Sequence, residues 1–197
     1  MKEMWNERFG KEEYAYGVEP NKEFKEFIDQ LKPGKLLLLG EGEGRNAVYA
    51  AKKGWQVTAV DFSEEGKNKA LLLAKNNHTT IDYLVKDVTQ YSAPDNTFDC
   101  IALSFLHMPS EEFYPMLQKL HQSLTEKGKL FIVGFHTDQL NYNSGGPKNK
   151  DWLLTSESLQ QQLNEYTITR NDHLLVELSQ GYAHQGTGSI VIFNATK

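Results

Sequence analysis

Four consecutive leucines, Leu36 to Leu39, run directly into Gly40-Glu41-Gly42-Glu43-Gly44, and no other stretch limits the fold as much. Successive side chains of a strand point to opposite faces, so a run that is apolar at every position needs both faces of its sheet covered. Such strands belong to parallel sheets with helices packed on each side. Parallel neighbours need a crossover, usually a helix. The chain downstream meets that demand. Residues 46–53 read as a short helix closed by Gly54, 56–60 as a strand, and Ser63 caps a helix running to about Lys75. Residues 81–85 and 98–103 read as strands. Ser110 opens a helix in which Phe113, Met116, Leu117, Leu120 and Leu124 recur at helical spacing, and Lys127-Gly128 turns into a strand over 129–135. Strands alternating with helices predict an α/β fold with a parallel sheet.

The two ends depart from this alternation. Upstream, Phe24, Phe27, Ile28 and Leu31 fall at helical spacing behind the capping residue Asn21. Downstream, a polar stretch over 136–150 contains Gly145-Gly146-Pro147, and a helix is expected over 155–163. Residues 172–178 and 189–193 then read as strands joined by a glycine-rich link, Gly181 to Gly188, without a helix. Two strands joined in this way pair antiparallel, so the sheet is expected to be mostly parallel with an antiparallel C-terminal hairpin at one edge. A long loop such as 136–150 is often functional.

A strand, a glycine turn and a helix form a nucleotide-type site, because glycine lets a ligand approach the backbone and the helix N-terminus offers free N–H donors. Asp61 ends the next strand about twenty residues on, where such folds place a carboxylate that accepts from ribose hydroxyls. Two ligands fit. A dinucleotide would lay its pyrophosphate over Gly42, Gly44 and Ala47. S-adenosylmethionine (SAM) would bring a sulfonium cation instead. Glu41 and Glu43 disfavour the pyrophosphate, since like charges at 4 Å cost roughly 4 kcal/mol at an effective dielectric near 20; Arg45 works against that repulsion.

The residues from Leu36 to Ala47 resemble motif I of the class I SAM-dependent methyltransferases. Residues 57–61 resemble motif II, Lys86-Asp87-Val88 the adenine-reading segment, and Phe98-Asp99-Cys100-Ile101 the motif of the fourth strand. The start, Trp5-Asn6-Glu7-Arg8-Phe9 and Tyr14 to Asn21, is similar to a tellurite-resistance (TehB-like) and thiopurine-methyltransferase-like subgroup, as is Gly145-Gly146-Pro147 followed by Asp151-Trp152-Leu153. The resemblance implies a Rossmann-like, seven-stranded sheet with helices on both faces, SAM as cofactor, and one domain over 1–197: a helical lid over 1–31 on a core over 35–197. It also exposes a departure. Many relatives carry an acid two residues before the first glycine, where this chain has Leu38; Glu41 is the candidate replacement.

The expected cofactor residues are Arg8, Tyr16, Gly40, Glu41, Gly42, Gly44, Asn46, Asp61, Phe62, Asp87, Val88 and Ser104. Asp61 is assigned to the ribose, Asp87 to the adenine amine with the Val88 amide beside it, and Phe62 either to the adenine face or to the core. Arg8 is assigned to the SAM carboxylate, and Ser104 to the methionine part. Trp5, Arg8, Tyr14 and Tyr16 read as a lid or, alternatively, as an amphipathic helix on the sheet edge. His107 and His184 are the candidate catalytic residues, each with a structural or surface alternative, and Gln139, Tyr142 and Gly145 to Pro147 are placed at the acceptor side.

The expected activity is methyl transfer to a small molecule, among them chalcogen oxyanions, thiols and similar soft nucleophiles. An NAD(P)-dependent oxidoreductase and a methyltransferase acting on a macromolecule are the alternatives. The net charge of −5 argues against a nucleic-acid partner. One cysteine in 197 residues leaves no disulfide framework, no metal site is expected, and no apolar run is long enough for a membrane span. Charged residues after Met1 do not form a secretory signal. A cytoplasmic monomer or homodimer is therefore expected.

Overall fold

The computed structural model describes residues 2–197 and bears out the α/β reading. Helices α1 (Lys2–Phe9) and α2 (Lys22–Ile28) precede the first strand, β1 (Lys35–Leu39). The alternation follows: α3 (Arg45–Lys52), β2 (Gln56–Asp61), α4 (Glu64–Asn76), β3 (Asp82–Val85), β4 (Phe98–Ser104), α5 (Ser110–Ser123) and β5 (Leu124–Phe135). The chain ends with α6 (Ser156–Gln162), β6 (Thr167–Gln180) and β7 (His184–Thr196). The seven strands lie in the order β3-β2-β1-β4-β5-β7-β6. Strands β1 to β5 pair in parallel, and β7 inserts antiparallel between β5 and β6.

The leucine run behaves as its pattern demands. Leu36 and Leu38 point into a core shared with α2, α3 and α4, which includes Phe24, Ala47, Ala70 and Phe131. Leu37 and Leu39 point into the core on the opposite face, with Ile101, Leu117, Leu120 and Leu159 from β4, α5 and α6. Strand β1 has β2 on one side and β4 on the other. The connections leave in opposite directions there, and the switch opens a crevice beyond the carboxyl ends of β1 and β4, where open α/β sheets bind ligands.

Helix starts follow the expected chemistry. The Asn21 side chain accepts from the Phe24 amide and Ser63 Oγ from the Gly66 amide. The C-terminal hairpin differs from expectation. Its strands extend to the pair Gln180↔His184, so the link is only residues 181–183 and Gly186 and Gly188 lie inside β7. Gly188 is needed there for space, since a Cβ would lie 2.7 Å from Leu178 Cδ1. Among the described residues no helix is long and apolar enough to cross a membrane.

Because Leu37 and Phe131 are fully buried on opposite faces, Leu37→Ala is expected to cost about 2–5 kcal/mol and Phe131→Ala about 3–5 kcal/mol. Urea denaturation of the two variants checks both values, and the well-separated effects should add in the double variant.

Candidate functional site

The crevice is a cavity of about 1030 Å³ at the carboxyl ends of β1, β2 and β4, at the upper end of the range for small-molecule sites. Its floor is the glycine turn. Gly40 has φ +67°, and a Cβ there would lie 2.7 Å from Leu106 Cδ1. Gly44 caps α3 at φ +85°, and a Cβ would overlap the Ala70 methyl of α4. Gly44 therefore sets the packing of α3 against α4.

Two carboxylates organise this turn. Glu41 Oε1 accepts from the Ala47 amide at 2.7 Å, and the Asn46 amide also faces the carboxylate. The free N–H groups at the start of α3 thus go to a side chain of the loop itself. The low-polarity surroundings push Glu41 up to about 7, against the pull of those amides and of Arg45. Asp61 lies at the end of β2, 5% exposed. Its Oδ2 accepts from the Gly42 amide at 3.0 Å and its Oδ1 from the Ser63 amide at 2.9 Å. Burial raises it to about 6 despite these bonds. Each oxygen keeps a further lone pair for a ligand donor.

The remaining polar residues of the turn face the N-terminal segment. Glu43 Oε2 accepts from the Ala15 amide at 2.8 Å, and its Oε1 pairs with Lys69 at 2.8 Å in a largely buried ion pair. Arg45 donates to the Tyr16 carbonyl and Asn46 Oδ1 accepts from the Asn21 amide. Residues 14–21 form a strap held down by three side chains of the loop and α3. The Ala183 amide donates to the Ala15 carbonyl, which ties the strap to the β6–β7 turn. Arg8 donates to the Tyr16 hydroxyl at 2.9 Å and lies over the Trp5 ring; Trp5, Arg8 and Tyr16 all line the cavity. Tyr14 does not, its hydroxyl donating to the Lys69 carbonyl of α4.

Phe62, Asp87, Val88 and Ser104 also line the cavity. Asp87 is exposed, with Oδ1 accepting from the Thr89 amide and hydroxyl, and Ser104 Oγ has no protein partner. The opposite wall is aromatic. Phe105, Phe135, His184 and Tyr16 lie with neighbouring ring centroids 4.5–5.2 Å apart. His184, 3% exposed, is held down to about 3 by burial and then by Arg45, His107 and Arg8, and its Nδ1 has no partner. His107 differs. Its Nδ1 bonds the Trp152 carbonyl at 2.8 Å and its Nε2 accepts from the Phe135 amide at 3.2 Å, so both nitrogens are committed to backbone groups. Burial lowers it to about 4.

Several partners in this site were not anticipated. Tyr83 of β3 is buried and donates to the Gly42 carbonyl at 2.6 Å, bracing the turn from beneath. Its only sequence signal is its place on the inward side of a short strand. Phe105, Phe135, Trp152 and Tyr182 line the cavity, but each also reads as ordinary core or loop. Conversely, Gln139 and Tyr142 lie outside the cavity wall. Gln139 is 1% exposed; its oxygen accepts from the Ser189 amide, and its nitrogen donates to Ser144 Oγ and the Gly145 carbonyl. It secures the loop whose Gly145–Asn149 segment reaches the cavity.

Residues 36–128 match the family model described as a methyltransferase domain. Over this stretch, a little under half of its length, the chain is similar to methyltransferase domains. It is 38% identical over 121 residues to phosphoethanolamine N-methyltransferase of Triticum aestivum, covering 60% of this chain and 24% of that protein. It is 30% identical over 108 residues to demethylmenaquinone methyltransferase of Corynebacterium efficiens, covering 54% and 44%. The chain thus spans less than half the length of these curated relatives. In structure it is similar to TehB from Haemophilus influenzae, with a TM-score of 0.75 at 18% identity over 90% of this chain and 62% of that one. That likeness extends the shared fold to nearly the whole chain.

The raised carboxylates give a pH test. Unfolded Asp61 ionises near its ordinary value of 3.8, whereas the folded ligand-free domain holds the proton to about 6. The folded state binds more protons across that window, so stability falls as pH rises from about 4 to 6. Asp61→Asn should remove up to about 3 kcal/mol of that fall, although it lowers stability overall by losing bonds to the Gly42 and Ser63 amides. Urea titrations of both proteins at pH 4.5 and 7 measure the difference.

Proposed function

We propose that the protein is a SAM-dependent methyltransferase acting on a small-molecule acceptor. The observation that carries this reading is the Glu41 carboxylate seated on the first amides of α3. A pyrophosphate would need those donors and would bring negative charge beside Glu41. A sulfonium cation would favour the ionised form of Glu41. The dinucleotide reading therefore loses its anion site, although the Gly42, Gly44 and Ala47 spacing alone permits it.

In this reading the ribose hydroxyls donate to the free lone pairs of Asp61, and the adenine lies between Phe62 and Val88 with its amine toward Asp87. Gly40, Glu41 and Ser104 face the methionine part, where Leu38 leaves no acid on β1. Arg8 and Tyr16 close over it from the strap. Residues 2–31 act as a lid on the core that begins at residue 35. Asn46, Arg45 and Glu43 contribute by holding that lid, and Gly44 by setting helix packing.

Methyl transfer from a sulfonium is a displacement in which alignment and exclusion of water matter most. The aromatic wall of Phe105, Phe135 and His184 is the acceptor side. His107 has no free ring nitrogen, and His184 is too weak a base for a general-base role near neutrality. Those two facts support an acceptor that is soft or already ionised, such as a thiolate or a chalcogen oxyanion. The relatives named for phosphoethanolamine and demethylmenaquinone support a small acceptor in general. The single buried cysteine, Cys100, supports a reducing compartment such as the cytoplasm.

SAM or its demethylated product at 100 times its Kd should stabilise the protein by about 2.7 kcal/mol, a Tm increase of roughly 5–10 °C, with no increase from NAD(P). Absence of a shift with SAM overturns the reading. A SAM-consumption assay over a panel of thiols, chalcogen oxyanions and amines then identifies the acceptor class. His184→Ala should raise KM for that acceptor and leave SAM affinity unchanged. At saturating SAM, kcat should show no histidine limb between pH 6 and 8.

A further inference from the structure

On the far side of the sheet edge, outside the cavity, His136, Asp138 and His173 gather into a cluster that methyl transfer does not use. We propose that these three side chains bind a divalent transition-metal ion such as Zn²⁺, Co²⁺ or Ni²⁺, which joins the 137–155 loop to the C-terminal hairpin. One donor atom from each residue lies within 4.8 Å of the other two. Asp138 Oδ2 is 3.4 Å from His136 Nδ1 and 3.8 Å from His173 Nε2. Ligands bound at about 2.0–2.1 Å in a tetrahedral array sit about 3.4 Å apart. Of the three pairs, one is already at that spacing, the second needs a contraction of a few tenths of an ångström, and the two imidazole nitrogens, within 4.8 Å of each other, close up as the rings turn.

The fold brings these residues together from three places. His136 follows β5, its amide donating to the Ser189 carbonyl of β7. Asp138 lies in the first turn of the 3-10 helix Thr137–Asn141, which begins directly after His136. His173 comes from β6, on the other side of β7. Ser189 lies beneath, fully buried, its small side chain leaving room for the two rings to meet above it; its Oγ is 2.8 Å from His173 Nε2. The rings stack with centroids 3.6 Å apart and planes 22° from parallel.

The donor set selects the ion. Two imidazoles and one carboxylate suit zinc, cobalt and nickel, whereas magnesium and calcium prefer all-oxygen shells. The set leaves positions open for water. Neutral imidazole is the binding form, and stacking itself favours neutral rings, since two cations at that distance repel. Burial and His173 both keep His136 below its ordinary range, while Asp138 and Glu157 pull the other way. Ligation opens the stack. Lone pairs lie in the ring planes, so His173, the more exposed of the two rings, must turn toward the shared ion and release Ser189 Oγ. His136 gives up the weaker bond it accepts from the Asp138 amide at 3.1 Å.

The site has a route to the cavity. Gln139, the residue after Asp138, bonds both the Ser189 amide and the Gly145 carbonyl. An ion at Asp138 therefore fixes the turn that holds Gly145 against the cavity wall.

The test uses the 197-residue chain, stripped with EDTA and then dialysed free of chelator. Titration with Co²⁺ at pH 7.5 should give one equivalent bound, with visible d–d absorption of a four- or five-coordinate ion. Zn²⁺ at 100 times its Kd should raise Tm by roughly 5–10 °C. His173→Gln and Asp138→Asn should each weaken binding at least tenfold, while their melting in EDTA stays within about 2 °C of the parent. Asp138 is more than half exposed, so its variant keeps the test valid even where the histidine variant folds poorly. Absence of stoichiometric Co²⁺ binding to the parent protein, or equal binding by the Asp138→Asn variant, overturns the proposal. Neither result bears on SAM binding, which the thermal shift with SAM measures separately.

Discussion

The site depends on two carboxylates that are taken out of water and given backbone amides in exchange. Glu41 accepts from the start of α3, and Asp61 accepts from Gly42 and Ser63. Desolvation pushes both acids upward, and the amides oppose it. The balance matters because an unpaired carboxylate here would simply stay protonated. With the amides in place, each acid can ionise in the neutral range and accept from, or attract, a ligand. Glu41 also satisfies helix donors that would otherwise invite an anion. The first amides of α3 are thereby taken up by the loop itself.

The remaining polar groups of the same turn hold the N-terminal strap. Glu43, Arg45 and Asn46 bond the backbone of residues 15, 16 and 21, and Lys69 of α4 neutralises Glu43. A buried ion pair is weak evidence for stability by itself. Here it matters because Glu43 also holds the strap, so loss of Lys69 would leave a buried charge at the point where the strap is attached. The β6–β7 turn meets the strap through Ala15 and Ala183. Glycine turn, strap and β6–β7 turn consequently share one hydrogen-bonded frame, and movement of the strap must strain the glycine turn or break its bonds.

Much of the fold was legible because its signals are local. The all-apolar leucine run required two covered faces, and the structure divides Leu36 and Leu38 from Leu37 and Leu39 between two cores. Asn21 and Ser63 announced their helices through capping chemistry that acts within three residues. The hairpin was read too short because Gly186 and Gly188 look like loop residues; only opposite Leu178 is the lack of a side chain at Gly188 an advantage. Among the site residues, Asp61, Phe62, Val88, Arg8 and Tyr16 do converge on one cavity. Gln139 was assigned to the acceptor side and instead secures the loop from behind.

The sequence by itself determined the layered α/β architecture, the position of the crevice and the acid that ends β2. These follow from side-chain periodicity, glycine geometry and the chain distance between a turn and the next strand, all properties of short segments. Tertiary structure alone decided what each polar side chain does. Glu43 meets Ala15 across 28 residues, His107 meets Trp152 across 45, and His136 meets His173 across 37. Periodicity carries no information over such distances. Whether a carboxylate faces a ligand, a lid or an ion depends on which backbone group the fold has already placed within hydrogen-bonding reach.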